Sequence, residues 1–87
     1  MRQVLLIEDS PEYQLLIRAA LSDRFDVMCV GDAEAALASI SQQKPDLILL
    51  EVGLPGRDGL AFCLELRRDS RLRSTPIISS SRFIPRS

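Results

Sequence analysis

Eighty-seven residues with a formal net charge of -1 and a sequence pI near 5.3 fit one small domain, which buries a smaller share of its surface than a typical domain and is modestly stable. The charge balance excludes the basic footprint of a nucleic-acid binder, and the absence of histidine excludes Ser-His-Asp and Cys-His nucleophile pairs and His-ligated metal sites. No run approaches the roughly 20 apolar residues of a membrane span and no signal peptide opens the chain, so a cytoplasmic protein with no membrane or nucleic-acid partner is expected.

Val4 to Ile7 is a short continuous apolar run, which reads as a strand buried on both faces. It ends in two acids, Glu8 and Asp9. Ser10 and Pro11 then supply an N-cap and a first-turn proline, and Tyr13, Leu16, Ile17, Ala20 and Leu21 recur at helical spacing, predicting a helix from Pro11 to about Ser22 with Tyr13 as helix-face packing. Phe25, Val27 and Cys29 alternate with Asp26 and Met28, the pattern of a strand with one better-buried face at a sheet edge. Asp32 is positioned to cap a second helix, whose stripe is Ala33, Ala36, Leu37 and Ile40.

Leu47 to Leu50, entered through Lys44, Pro45 and Asp46, is the central buried strand, and it delivers Glu51 into a loop rich in glycine and proline. Leucine and isoleucine on both of its pleat faces predict cover on both sides. After the Gly53 to Gly59 loop, with Asp58 as N-cap, Leu60, Cys63, Leu64 and the stem of Arg67 predict one helix face, widened by Phe62 and Leu66. Arg67 and Arg68 suit the negative pole of that helix. With Arg71, Arg73, Arg82 and Arg86 they make the last third of the chain basic, as a solvated helix end and loop. Ser70 to Thr75 reads as a loop and Pro76-Ile77-Ile78 begins a fourth strand, which then meets three serines. Cys29 and Cys63 lie far apart among apolar residues and read as reduced core thiols.

The alternation of strand and helix is an α/β layer fold with right-handed crossovers. In open parallel sheets ligands bind outside the carboxyl ends of the strands. If the first and third strands are neighbours, Glu8, Asp9 and Glu51 converge there. Carboxylates so placed repel unless a proton or a hard cation neutralises them, and oxygen ligands of this kind suit Mg²⁺ with several retained waters.

Val4-Leu5-Leu6-Ile7-Glu8-Asp9-Ser10, Pro45 to Leu50, and Leu54-Pro55-Gly56-Arg57-Asp58-Gly59-Leu60 together resemble the receiver domain of two-component response regulators, from Met1 to about Arg82. The resemblance implies a three-layer, flavodoxin-like open parallel sheet, in which an aspartate takes a phosphoryl group from a histidine kinase with the help of Mg²⁺. It places Glu8, Asp9, Glu51 and the carbonyl of Gly53 as metal ligands, Pro55 as the loop-shaping residue, and Ser81 or Ser80 as the switch hydroxyl; counting from Pro76 favours Ser81, counting back from Arg82 favours Ser80.

The chain departs from that family at three points. Glu51 occupies the phosphoacceptor position in place of aspartate; one extra methylene displaces the carboxylate, and the longer acid partly imitates a phosphorylated side chain. The lysine that the family carries at the end of a fifth strand has no counterpart, since Lys44, the only lysine, precedes the central strand. The expected strand order is therefore 2-1-3-4, with residues 1–87 forming a single receiver-like domain that lacks the last helix, strand and helix. The open edge of the fourth strand then favours a homodimer by strand addition or element exchange. Two functions follow: a non-catalytic signalling module acting through a protein partner, either a histidine kinase or an output protein, or a working Mg²⁺-dependent phosphoacceptor in which Glu51 receives the phosphoryl group.

Overall fold

A computed structural model describes residues 1–51 and 59–80, and the backbone alone of Ser80. Strands β1 (Arg2–Ile7), β2 (Phe25–Val30), β3 (Leu47–Glu51) and β4 (Ile77–Ser80) alternate with helices α1 (Pro11–Leu21), α2 (Ala33–Gln42) and α3 (Gly59–Arg67), and a single 3-10 turn, Ser70–Leu72, precedes β4. The four strands form one sheet in the order β2-β1-β3-β4, every pair parallel. That is the expected flavodoxin-like order. Among the described residues no helix is long and apolar enough to cross a membrane.

Local chemistry explains the boundaries. The Ser10 hydroxyl accepts from the Tyr13 amide and Pro11 opens α1; the Asp32 carboxylate accepts from the Ala35 amide at 2.8 Å and starts α2. Asp69 caps the 3-10 turn by accepting from Arg71 N–H at 2.9 Å. Each of these side chains satisfies an amide that the first turn leaves without a partner.

The core lies on one face of the sheet. Leu5 and Ile7 of β1, Ile48 and Leu50 of β3 and Ile77 of β4 meet Ala33, Ala36 and Ile40 of α2, Phe62 and Leu66 of α3, and Leu72. Val4 and Leu6 point to the opposite face and are also buried. There α1 lies toward β2, its Arg18 hydrogen-bonded to Cys29, a contact that raises the guanidinium pKa. The sheet is thus the middle of three layers. Cys29 and Cys63 are half-buried free thiols, as expected.

Four expectations are corrected. In α3 the buried stripe is Gly59, Phe62 and Leu66, while Leu60 and Leu64 are exposed. The helix turns its i, i+3, i+7 row to the sheet, and Leu60 and Leu64 fall on its outer flank. In α1 no residue is buried; Gln14, Ile17 and Leu21 face the sheet half-buried, Leu15 and Leu16 stand in solvent, and Tyr13 is exposed. In β3 the core face is closed throughout, the other face only at Glu51. Leu47 and Leu49 are half-buried, because α1 sits over the β2 side of the sheet. The fourth strand also runs on through Ser79 and Ser80; serines are tolerated there because β4 is an edge strand.

Candidate functional site

The sheet register brings two of the acids together. Ile7 pairs with Leu50, and Glu8 and Glu51 are each the next residue, so they stand side by side at the carboxyl ends of β1 and β3, with Cα atoms about 5 Å apart as on neighbouring strands. Both are deeply buried, Glu8 at 3% exposure and Glu51 at 4%. Across its other side Glu51 is in register with the backbone of Ser80.

Glu8 is held from several directions. Its amide donates to the Val30 carbonyl at 2.9 Å, which ties the end of β1 to the end of β2. The Oε2 atom accepts from the Ser10 amide at 2.9 Å, so the side chain folds back over the turn into α1. The side-chain amide of Gln14, one turn into that helix, donates to the Glu8 carbonyl. The Ser10 amide gives the buried carboxylate a partner, where an unpaired charge would be costly, and the other two bonds fix the backbone beneath it. Asp9, the next residue, is exposed.

The structure therefore joins Glu8 and Glu51 in one rim and leaves Asp9 at its solvent side. Gly53, Pro55, Asp58 and Ser81 lie outside the described residues, as does the side chain of Ser80. Sequence reading missed Gln14 and the Ser10 amide. A glutamine at the sheet-facing row of α1, where an apolar residue would otherwise stand, was the available signal.

Among the described residues no three His, Cys, Asp or Glu side chains are grouped to hold a metal ion. Mg²⁺ asks for less than that: it takes one or two carboxylates and keeps several waters. An all-oxygen pair of adjacent, buried carboxylates fits that chemistry, with the Glu8 carboxylate oriented by the Ser10 amide. Lys44 is exposed ahead of β3, at the opposite end of the sheet from Glu51.

The other charged cluster lies at the amino end of β4. Arg71 grips Asp69 through Nε and Nη2 at 2.6 to 3.2 Å and reaches Ser41 of α2 through Nη1 at 3.1 Å. The Arg71 guanidinium holds the Asp69 carboxyl down to about 2. This cluster fastens the turn before β4 to α2, well away from the acids.

Comparison with known proteins places this geometry. Residues 4–84 match the model of the response regulator receiver domain. The chain is 38% identical over 72 residues to the DNA-binding response regulator MtrA of Mycolicibacterium smegmatis, covering 80% of this chain and 32% of that protein. It is 39% identical over 71 residues to the transcriptional regulatory protein AruR of Pseudomonas aeruginosa, covering 75% and 29%. The chain thus spans about a third of these curated relatives. Among solved structures it resembles the chemotaxis response regulator CheY4 of Vibrio cholerae, with a TM-score of 0.84 and 29% identity over 91% of this chain and 67% of that one. It also resembles the receiver domain of the sensor histidine kinase PA1611 of Pseudomonas aeruginosa, whose active site cleft coordinates a magnesium ion, with a TM-score of 0.81 and 35% identity over 90% and 65%.

Proposed function

The chain belongs to the response regulator receiver domain family, and from that premise we propose that it is a receiver-like signalling module of a two-component phosphorelay, impaired in phosphotransfer and acting through protein contacts. Glu51 carries this reading. It closes β3 beside Glu8, at the position matching the family's phosphoacceptor, and carries one methylene more than the aspartate of that position. Displacement of a reacting oxygen by an ångström or so costs about a hundredfold in rate.

Mg²⁺ binds weakly in this reading, through Glu8, Glu51 and Asp9 with the Gly53 carbonyl and retained waters, and it supplies charge neutralisation at the rim. Glu8 and Glu51 do the chain's own work: the Ser10 amide orients one carboxylate, and the end of β3 fixes the other. The switch hydroxyl belongs to Ser81 or Ser80, and Pro55 shapes the loop. The partners are a histidine kinase or an output protein in the cytoplasm, and a second copy of the chain. The homodimer reading draws on Ile78, which stands exposed on β4.

The test is direct. Purified protein incubated with Mg²⁺ and a small phosphodonor is examined by intact mass. The expected result is an unmodified chain. A stoichiometric phosphate adduct removed by Glu51→Gln would establish the working phosphoacceptor instead.

A further inference from the structure

Residues 8, 10 and 14 close a ring of hydrogen bonds where β1 gives way to α1. The Ser10 amide donates to Glu8 Oε2 at 2.9 Å, the Ser10 carbonyl accepts from the Gln14 amide at 2.9 Å, and the Gln14 side-chain amide donates back to the Glu8 carbonyl. The first turn of α1 is thereby tied to one residue of the rim through both its backbone and its carboxylate. On the other side the Glu8 amide donates to Val30 of β2, so Glu8 is anchored to two elements at once.

The carbonyl that Gln14 holds belongs to the peptide joining Glu8 to Asp9. A peptide unit is planar, so fixing its oxygen fixes the direction in which the Asp9 amide and Cα leave the strand. Glu8 is buried and Asp9 exposed, and this one plane sets the angle at which the two acids are presented. Mg²⁺ demands near-ideal octahedral geometry, which a freely turning peptide does not offer. Gln14 is half-buried on the sheet-facing row of α1. An apolar side chain would pack there equally well, whereas the Glu8 carbonyl needs a donor.

Resting on the reading of a cation at the acid rim, we propose that Gln14 is the positioning residue of that rim: it sets the Glu8–Asp9 peptide for a divalent cation, and an ion bound there holds α1 to the sheet in return. The coupling is reciprocal, because a bond that raises the affinity for the ion by some factor is strengthened by the ion by that same factor. Gln14 acts through Glu8 and Asp9 and supplies no ligand of its own.

Isothermal calorimetry with Mg²⁺ on the wild-type chain, Gln14→Met and Ala19→Gly tests this, together with NMR exchange of the Gln14 side-chain protons with water and circular dichroism to follow folding. Methionine matches glutamine in length and helix propensity and lacks the donor. Glycine at the exposed Ala19 loosens α1 about fivefold and leaves the Gln14 bond in place. The expected result is Mg²⁺ binding about tenfold weaker in Gln14→Met and within about twofold of wild type in Ala19→Gly. The wild-type Gln14 side-chain protons should exchange about tenfold more slowly at saturating Mg²⁺. Gln14→Met that binds as tightly as wild type overturns the positioning role. Equal weakening in Ala19→Gly overturns it too, by assigning the effect to a loosened helix. Should Gln14→Met not fold, the wild-type exchange decides alone: no slowing with bound Mg²⁺ overturns the coupling and leaves the cation at the rim. A wild type that takes up no Mg²⁺ removes the cation and the positioning role together, while impaired phosphotransfer is judged apart, by intact mass.

Discussion

Glu8 and Glu51 end adjacent parallel strands at one level of the sheet, both nearly fully buried. Glu8 is bonded to the turn that starts α1, whereas Glu51 is the last residue of its strand and carries the extra methylene.

Shortening that side chain restores the family's acceptor. Glu51→Asp is expected to gain a single phosphate with Mg²⁺ and a small phosphodonor, at an initial rate at least about a hundredfold above wild type. Intact mass over time reads it. Equal rates would mean that the methylene is not what blocks transfer.

A cation at the rim stabilises the folded state alone. At about tenfold its dissociation constant Mg²⁺ adds about 1.4 kcal/mol, several degrees in the thermal midpoint of a domain this small. Glu8→Gln should remove most of that shift. A shift unchanged in the variant would place the ion elsewhere.

The Asp69 carboxyl, held down to about 2 by Arg71, titrates below the ordinary carboxylate value that it regains on unfolding. Its folded form binds the proton less readily, so the stabilisation is full above about pH 4 and disappears as pH falls toward 2. Asn caps a helix as well as Asp does, so Asp69→Asn isolates the charge. Thermal melts from pH 6 to pH 2 should show the variant less stable at the upper end and converging with wild type at the lower. A constant difference would assign the effect to the cap.

Two truncations in α3 separate its faces. Phe62→Ala empties a fully buried site and should cost about 3 to 5 kcal/mol, enough to unfold much of so small a chain. Leu64→Ala, on the outer flank, should stay within about 0.5 kcal/mol. Urea titration distinguishes them.

The buried parallel strands and where they stop were legible because short apolar runs ending in acids specify them, whereas the strand order that sets Glu8 beside Glu51 came from the resemblance to receiver domains. Ser10 and Asp32 announced their helices by capping chemistry that acts over three residues. The face of α3 was misread because Leu60, Phe62, Cys63, Leu64 and Leu66 surround most of the helix, and only the sheet beneath decides which row is buried. The bond of Arg67 to the Ile77 carbonyl could not be read from the chain, since only the assembled sheet puts the two within reach, whereas Gln14 left one signal, a polar side chain on the sheet-facing row of α1.

Helix α1 contributes no fully buried side chain, so little apolar contact opposes its local opening. Its amide protons should exchange with solvent ahead of those in β1 and β3, as a separate, low-energy unit. Gln14 leaves with it, and the Glu8 carbonyl loses its clasp at each opening. The acid rim is only as rigid as the helix that lies most lightly on the sheet.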